Sequence, residues 1–429
     1  MKITIHRQHI FEFLIIFMTF IVINLLSFSF QEQISFNNGK GWDGQFYYKV
    51  AEDFSRWQSP QAAAPFVYRI GTPFLASLLF KDDLLFSFKI TNLIANTFLI
   101  VLLIIWLQLY ITDWRIRVLL NILFLTQWHG PIRFVHFYPV YTDPWTFVAL
   151  LAGLIGIHKG RTDATLTVMC GLSLITLVGV MIREIAIVVS VALLFSMNPV
   201  TWDRNSVFSV RMVNRLPLMY FIPFMFGLLG LAGVHILATH TNDYSFLRTA
   251  VHCAYDKPLL KYVHAWFVGF GPIIIFLVHH WRQALAFLIN HQFHFVYLIA
   301  IALLGWIGGS DTERFLYWAM PIIYVLIGKG LESNTWLLQS PLLIIVLGLS
   351  QCISQRLIWT IPDYPNTFSH SFPILTPIGS KVPYFDLWSY HGELLIQFIS
   401  LCQYLLLGLV LLLWLNHRAR RLRNAIKFA

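Results

Sequence analysis

The chain has 429 residues, 57% of them hydrophobic and only 12% charged, where a soluble domain carries about 25% charged residues. So little polar surface cannot cover a soluble core of this size, which excludes an ordinary soluble enzyme and points to a chain solvated largely by lipid. The formal net charge of +10 raises the question of nucleic acid, but the excess lies in short loops between apolar runs, the pattern of membrane topology.

The N-terminal segment "MKITIHRQHIFEFLIIFMTFIVINLLSFSF" has a basic start and a long apolar stretch with no small-residue cleavage site, and it reads as a retained signal anchor. Apolar runs then predict crossings near 13–30, 90–111, 117–132, 145–158, 164–181, 185–198, 217–239, 264–280, 286–307, 315–330, 336–354 and 395–415,. The expected fold is therefore all-α: a polytopic transmembrane helical bundle of about twelve spans, forming one integral-membrane domain over 1–429. The run 164–198 is too long for one crossing at 1.5 Å per residue and breaks at Arg183-Glu184, whose charges are costly in lipid. Residues 66–80 are too short to span and contain Pro73, so they read as re-entrant or interfacial.

With the N-terminus inside, the inner segments hold sixteen basic residues against five acids, an excess of eleven positive charges. The outer segments hold the other fourteen basic and fifteen acidic residues. The positive-inside rule therefore places both termini in the cytoplasm of a multi-pass cell (inner or plasma) membrane, with 416–429 as a basic inner tail. The longer loops, 31–89, 240–263 and 355–394, and most acids fall outside, so chemistry is expected on that face. The aromatics of 355–394 fit sugar rings but equally a membrane interface. Cys170, Cys253, Cys352 and Cys402 are scattered without a CxxC spacing, and no H-E-x-x-H pattern occurs, so the sequence holds no metal or disulfide signature.

The first outer loop contains "GWDGQFYYKVAEDFSRW". Phe46, Val50, Phe54 and Trp57 recur at helical spacing, with Lys49, Glu52, Asp53 and Arg56 on the remainder, predicting an amphipathic helix in the headgroup layer. Asp43 precedes it, either as a helix cap or as a functional carboxylate; a capping position would also hold the group in place. In "HFYPVYTDPWTF", Asp143 reads as the cap of a helix with Pro144 at its first position, or as a second acid of a site. Arg183 and Glu184 read as an ion pair at a hairpin tip or as site residues. In "GGSDTERFLYWAMP", Asp311 and Glu313 suit a helix start. Arg314 opposes the dipole there and needs an anionic partner, a lipid phosphate or an outer carboxylate.

A first outer loop with W-D-G-x-x-Y, then Y-R and a short apolar element, resembles the GT-C superfamily of integral-membrane glycosyltransferases, above all its GPI mannosyltransferase-type members and their bacterial relatives. The matching residues are Trp42, Asp43, Gly44 and Tyr47 or Tyr48, with Tyr68 and Arg69 downstream; the motif covers about a tenth of the chain, and the topology nearly all of it. The resemblance implies transfer of a hexose or pentose from a polyprenyl-phosphate donor to a glycan, lipid or protein acceptor, with Asp43 as general base. It also implies a role for Asp143 in orienting the acceptor, and the D-x-x-R-F element with Asp311 and Arg314 resembles the family more loosely; Arg183, read from its charge between two apolar runs, is a candidate contact to the donor phosphate, with Glu184 beside it. A carboxylate is the right type to take a proton from an attacking hydroxyl, and arginine the right type to meet a leaving lipid phosphate. No cofactor beyond the lipid-linked donor follows, and the use of a divalent metal is left open. Two other classes compete. A lipid-linked-glycan transporter or flippase would favour ionisable residues near the midplane of repeated halves, and no internal repeat is visible. A non-catalytic glycan-assembly protein would tolerate loss of the Asp43 carboxylate.

Overall fold

The computed structural model describes residues 7–128, 130–162, 165–196, 218–334, 341–355, 360–361, 363, 367–368, 382–383 and 394–428. Most of the predicted loop 355–394, the basic residues between 197 and 217, and the start of the predicted span 336–354 lie outside them.

The described chain is helical almost throughout. Its helices are α1 (Arg7–Phe30), α2 (Gly44–Ser55), α3 (Gly71–Ser77), α4 (Leu84–Tyr110), α5 (Trp114–Thr126), α6 (Pro131–Phe137), α7 (Asp143–Thr162), α8 (Leu166–Ile182), α9 (Ile187–Ser196) and α10 (Ile222–Leu237). They continue as α11 (Phe246–Asp256), α12 (Leu259–Phe270), α13 (Ile275–His279), α14 (Trp281–Asn290), α15 (Gln292–Ile307), α16 (Thr312–Tyr317), α17 (Met320–Glu332), α18 (Pro341–Ser354) and α19 (Leu394–Phe428). Among the described residues strand is limited to two-residue pairs: Gln61–Ala62 runs parallel to Thr239–His240, and Thr367–Phe368 antiparallel to Val382–Pro383.

Among the described residues, five stretches are long and apolar enough to cross a membrane: Gln8–Phe30, Leu84–Tyr110, Leu218–Leu237, Leu259–His279 and Leu394–His417. A sixth is α14 with α15 if that pair, bent by 112°, counts as one. The protein is thus a membrane-embedded helical bundle. Several predicted crossings are shorter or broken. The run 117–132 ends as a helix at Thr126 and resumes as α6 at Pro131, after Gly130; the run 315–330 divides between α16 and α17. A 13-residue helix is about 20 Å long, short of the roughly 30 Å hydrocarbon layer. The break at Arg183-Glu184 is present: α8 ends at Ile182, a 3₁₀ turn spans Glu184–Ala186, and α9 follows. The predicted basic tail is a continuation of α19.

Close helix contacts use small residues, as expected where lipid removes the hydrophobic drive between helices. A β-carbon on Gly230 of α10 would lie 2.6 Å from Val180 of α8. The central cluster is apolar, built from residues such as Leu103, Trp106, Phe124, Leu150, Phe147 and Tyr317.

Charges gather at two poles. At one, Glu12 of α1 is fully buried and grips Arg117 of α5 through Nε at 2.7 Å and Nη2 at 2.6 Å. Nearby, Glu332 accepts from the Thr112 hydroxyl at 2.7 Å and the Asp113 N–H at 3.1 Å. All four charged residues belong to the set read from sequence as inner. The other pole holds Asp43, Arg69, Asp143, Arg183, Glu184, Asp311 and Arg314.

Helix α2 is amphipathic as its spacing predicts, but its apolar face is covered by protein rather than left for lipid. Its apolar face meets protein: Phe46 stacks on Phe66 with centroids 5.0 Å apart, Phe54 meets Phe74 edge-on at 5.4 Å, and Val50 is fully buried. Asp53, read as polar exterior, is buried, accepting from Lys49 at 2.6 Å and from the Gln61 N–H at 2.9 Å. The reason is the chain's return along α2, which covers a face that sequence spacing alone leaves open. Trp57 falls beyond the helix. Its N–H donates to the Phe54 carbonyl, and the Gln58 N–H donates to the Asp53 carbonyl, which is a Schellman closure. Trp57 thereby takes the left-handed position, φ 59°, where glycine is usual because a β-carbon costs roughly 1–2 kcal/mol. Glycine's own entropy offsets part of this, roughly 0.5–1 kcal/mol. Trp57→Gly is therefore expected to leave thermal stability unchanged or raise it by up to about 1 kcal/mol, measurable as the unfolding midpoint in detergent.

Candidate functional site

The second pole is assembled from helix ends that the bundle brings together. Asp143 opens α7 and has no solvent exposure. Its carboxylate accepts from Arg314 Nε at 2.7 Å and Nη2 at 3.0 Å, from Arg183 Nη1, and from the Tyr141 hydroxyl at 2.9 Å. Arg314 also holds Asp311 at 2.7 Å and lies over the Tyr141 ring, 4.7 Å from its centroid. The Arg183 guanidinium sits 4.5 Å from the Trp318 ring centroid. Arg69 donates to both Glu184 oxygens, at 3.2 and 3.1 Å, and to the Tyr47 hydroxyl at 2.9 Å.

These contacts settle several readings. Asp143 does not cap α7 with its side chain; it anchors two arginines, so both of its carboxylate oxygens are engaged within the protein. Arg183 and Glu184 do not pair with each other: Arg183 takes Asp143 and Glu184 takes Arg69. Adjacent residues in the extended backbone at Arg183 (φ −161°, ψ 136°) point apart. The anionic partner that Arg314 required is a pair of carboxylates.

Asp43 stands differently. It occupies the residue before α2, yet its carboxylate makes no capping hydrogen bond, and its backbone is already helical (φ −66°, ψ −25°) rather than extended as a capping residue's would be. Among the described residues no hydrogen bond or ion pair reaches that carboxylate. Burial pushes its pKa up from the ordinary carboxylate value, the Asp311 charge adds to this, and Arg314, Arg69 and Arg183 pull the other way. Asp43 is thus electrostatically coupled to Asp311 and to the three arginines of the pole, with no hydrogen bond or ion pair to any of them among the described residues.

The loop that carries Asp43 is seated on Tyr138. The Gly44 N–H donates to the Tyr138 hydroxyl at 2.5 Å, and Trp42 packs edge-on against the same ring at 5.8 Å. Gly41 has φ +72°, and a β-carbon there would fall 2.1 Å from the Tyr138 ring; only glycine meets both demands. The W-D-G motif is therefore a packing motif around Tyr138 as much as a chemical one.

The remaining sequence candidates divide. Tyr47 is buried and orients Arg69. Tyr48 points elsewhere, beneath the Lys40 ammonium at 4.1 Å. Tyr68 packs on His235 at a tilt, with centroids 3.9 Å apart, and shares a 3.1 Å hydrogen bond with His240, so its contacts lie outside the charged cluster. Tyr138, Tyr141 and Trp318 were not chosen from sequence as site residues. The first two stand in the same stretch as Asp143, which was the available signal; Trp318 had none beyond its place four residues after Arg314.

Lys257, between α11 and α12, supports the pole from behind. Its ammonium donates to the carbonyls of Gly305 at 2.7 Å and Gly309 at 3.0 Å, closing the end of α15 and holding the turn from which Asp311 and Arg314 emerge. Burial lowers its pKa to about 8. No group of three or more His, Cys, Asp or Glu side chains able to hold a metal ion occurs among the described residues. The arrangement offers one uncommitted, proton-accepting carboxylate beside a guanidinium-rich wall at the end of a membrane bundle. Compared with known proteins, the chain matches no family model, no curated protein and no solved structure.

Proposed function

We propose that the chain is a membrane glycosyltransferase of the GT-C kind, moving a sugar from a polyprenyl-phosphate donor to a hydroxyl acceptor with Asp43 as general base. The observation that carries this reading is the Asp43 carboxylate: unbonded and set among Arg69, Arg183 and Arg314, whose own carboxylates are Glu184, Asp143 and Asp311. In the reaction the acceptor oxygen attacks the anomeric carbon while its proton passes to Asp43. The bond from that carbon to the phosphate oxygen breaks, and its electron pair leaves with the lipid phosphate. Arg183 donates to Asp143 through a single nitrogen and retains N–H groups for the developing charge. The site end of the bundle faces outward, both termini lie in the cytoplasm, and about twelve crossings are made, the shorter and broken helices supplying those beyond the five or six long ones.

The test is reconstitution of the full chain into vesicles with a panel of polyprenyl-phosphate hexoses and pentoses. The expected result is protein-dependent release of free polyprenyl phosphate, followed by chromatography. If every donor stays intact while labelled lipid equilibrates across the vesicle wall, the glycosyltransferase reading falls and a flippase takes its place.

A further inference from the structure

A second site lies at the far end of α2, 12 residues and about 18 Å along the helix from Asp43,. An open groove of about 500 Å³ is lined there by Phe54, Trp57, Phe74, Leu78, Lys81 and Leu237, among others. Three observations say what occupies it. Leu237 is the last residue of the spanning stretch Leu218–Leu237, so the groove sits where a crossing ends, at the depth of lipid headgroups. Its floor is apolar and open, with Phe74 and Leu78 left about half exposed, while its rim carries a lysine and a tryptophan, the pair of residue types that partition to that depth. Finally, Trp57 holds a left-handed backbone position suited to glycine, yet the residue is 85% exposed. Neither helix closure nor core packing accounts for a large aromatic there, and strain of this sort persists where a side chain is required. The Lys81 ammonium stands 5.7 Å from the Trp57 ring centroid, beside the groove mouth and free of any carboxylate ion pair among the described residues.

We propose that this groove binds one membrane phospholipid, its acyl chain along Phe54, Phe74, Leu78 and Leu237 and its headgroup phosphate against Lys81 under the Trp57 ring. The site needs only that the chain is membrane-embedded and is independent of the glycosyltransferase reading.

Native mass spectrometry of the full chain in mild detergent tests it, with phosphatidylglycerol as the probe. The wild type is expected to retain one lipid, and diacylglycerol, which lacks the phosphate, is not expected to be retained. Lys81→Gln and Trp57→Gly should each weaken retention about tenfold, the scale of one charge-assisted contact. Because Trp57→Gly relieves backbone strain, its loss of lipid cannot be ascribed to misfolding. Retention by Trp57→Gly equal to wild type, or equal retention of diacylglycerol, would overturn the proposal. Displacement of the lipid by millimolar inorganic phosphate alone would also overturn it, reassigning the groove to a soluble phosphate ligand.

Discussion

Asp43→Asn is expected to lower sugar transfer by a factor of about 10² to 10⁴, the contribution typical of a positioned general base, without lowering thermal stability. Asn keeps the shape of the side chain and removes only its ability to accept a proton. The stability half of the prediction follows from the direction of the pKa. A carboxyl whose folded pKa is raised by burial favours folding in its neutral form. Its ionised form costs stability, and that cost is present once the pH exceeds the folded value,. The neutral amide removes the cost, so the unfolding midpoint at neutral pH should hold or rise. The same shift fixes the pH profile: activity should fall with acidity through an apparent pKa above the ordinary value of about 3.9. Initial rates across pH 4–8, with the unfolding midpoint of both proteins, check all three. Full activity in the variant would remove Asp43 from the chemistry and leave it a loop residue seated on Tyr138.

Asp143→Asn should behave in the opposite sense, damaging the protein first. Asp143 is fully buried and takes Arg314 through two nitrogens and Arg183 through a third. Neutralising it leaves two buried guanidiniums sharing no carboxylate between them; Arg314 retains Asp311, while Arg183 loses its ion pair and keeps the faces of Trp318 and Phe315 and the more distant charge of Asp43. Breaking a buried pair from one side costs about 3–5 kcal/mol. The expected outcome is a lower unfolding midpoint and reduced insertion, with any activity loss tracking the loss of folded protein. If Asp143→Asn proved as stable as wild type but inactive, the roles assigned to Asp43 and Asp143 would have to be exchanged. The two variants form a pair: two acidic residues, one at a helix start and one just before it, one uncommitted and one committed, separated by partners that only the folded chain supplies.

The contrast shows how the site was legible and where it was not. All of its charged members, Asp43, Arg69, Asp143, Arg183, Glu184, Asp311 and Arg314, stand out in sequence because ionisable groups beside long apolar runs are costly without a purpose. Their pairing did not. Arg183 and Glu184 are adjacent and look like partners, but neighbouring side chains on extended backbone diverge, and each finds its partner on another helix. Asp43 looks like a cap, and only its side-chain geometry shows that it does not cap. Tyr138 is one of seventeen tyrosines, and nothing local distinguishes it until the glycines of the W-D-G loop are found against its ring.

By itself the sequence determined the solvent and the secondary structure. Low charge and recurrent apolar runs require lipid, and in lipid a backbone satisfies its hydrogen bonds most simply as helix, so an all-α membrane bundle with its breaks at Arg183-Glu184 and in 66–80 could be read without coordinates. It also sorted charges into an expected inner and an expected outer set, because Lys and Arg bias short inner loops. Tertiary structure alone decided how many of the apolar runs are continuous, since Gly130-Pro131 and the α14–α15 bend interrupt helices that composition leaves whole. It alone buried the apolar face of α2 against protein, put Trp57 in a glycine position beside a groove, and distributed three arginines among their carboxylates so that Asp43 was left over. These are relations between residues tens to hundreds of positions apart, and periodicity and propensity carry no information over that distance.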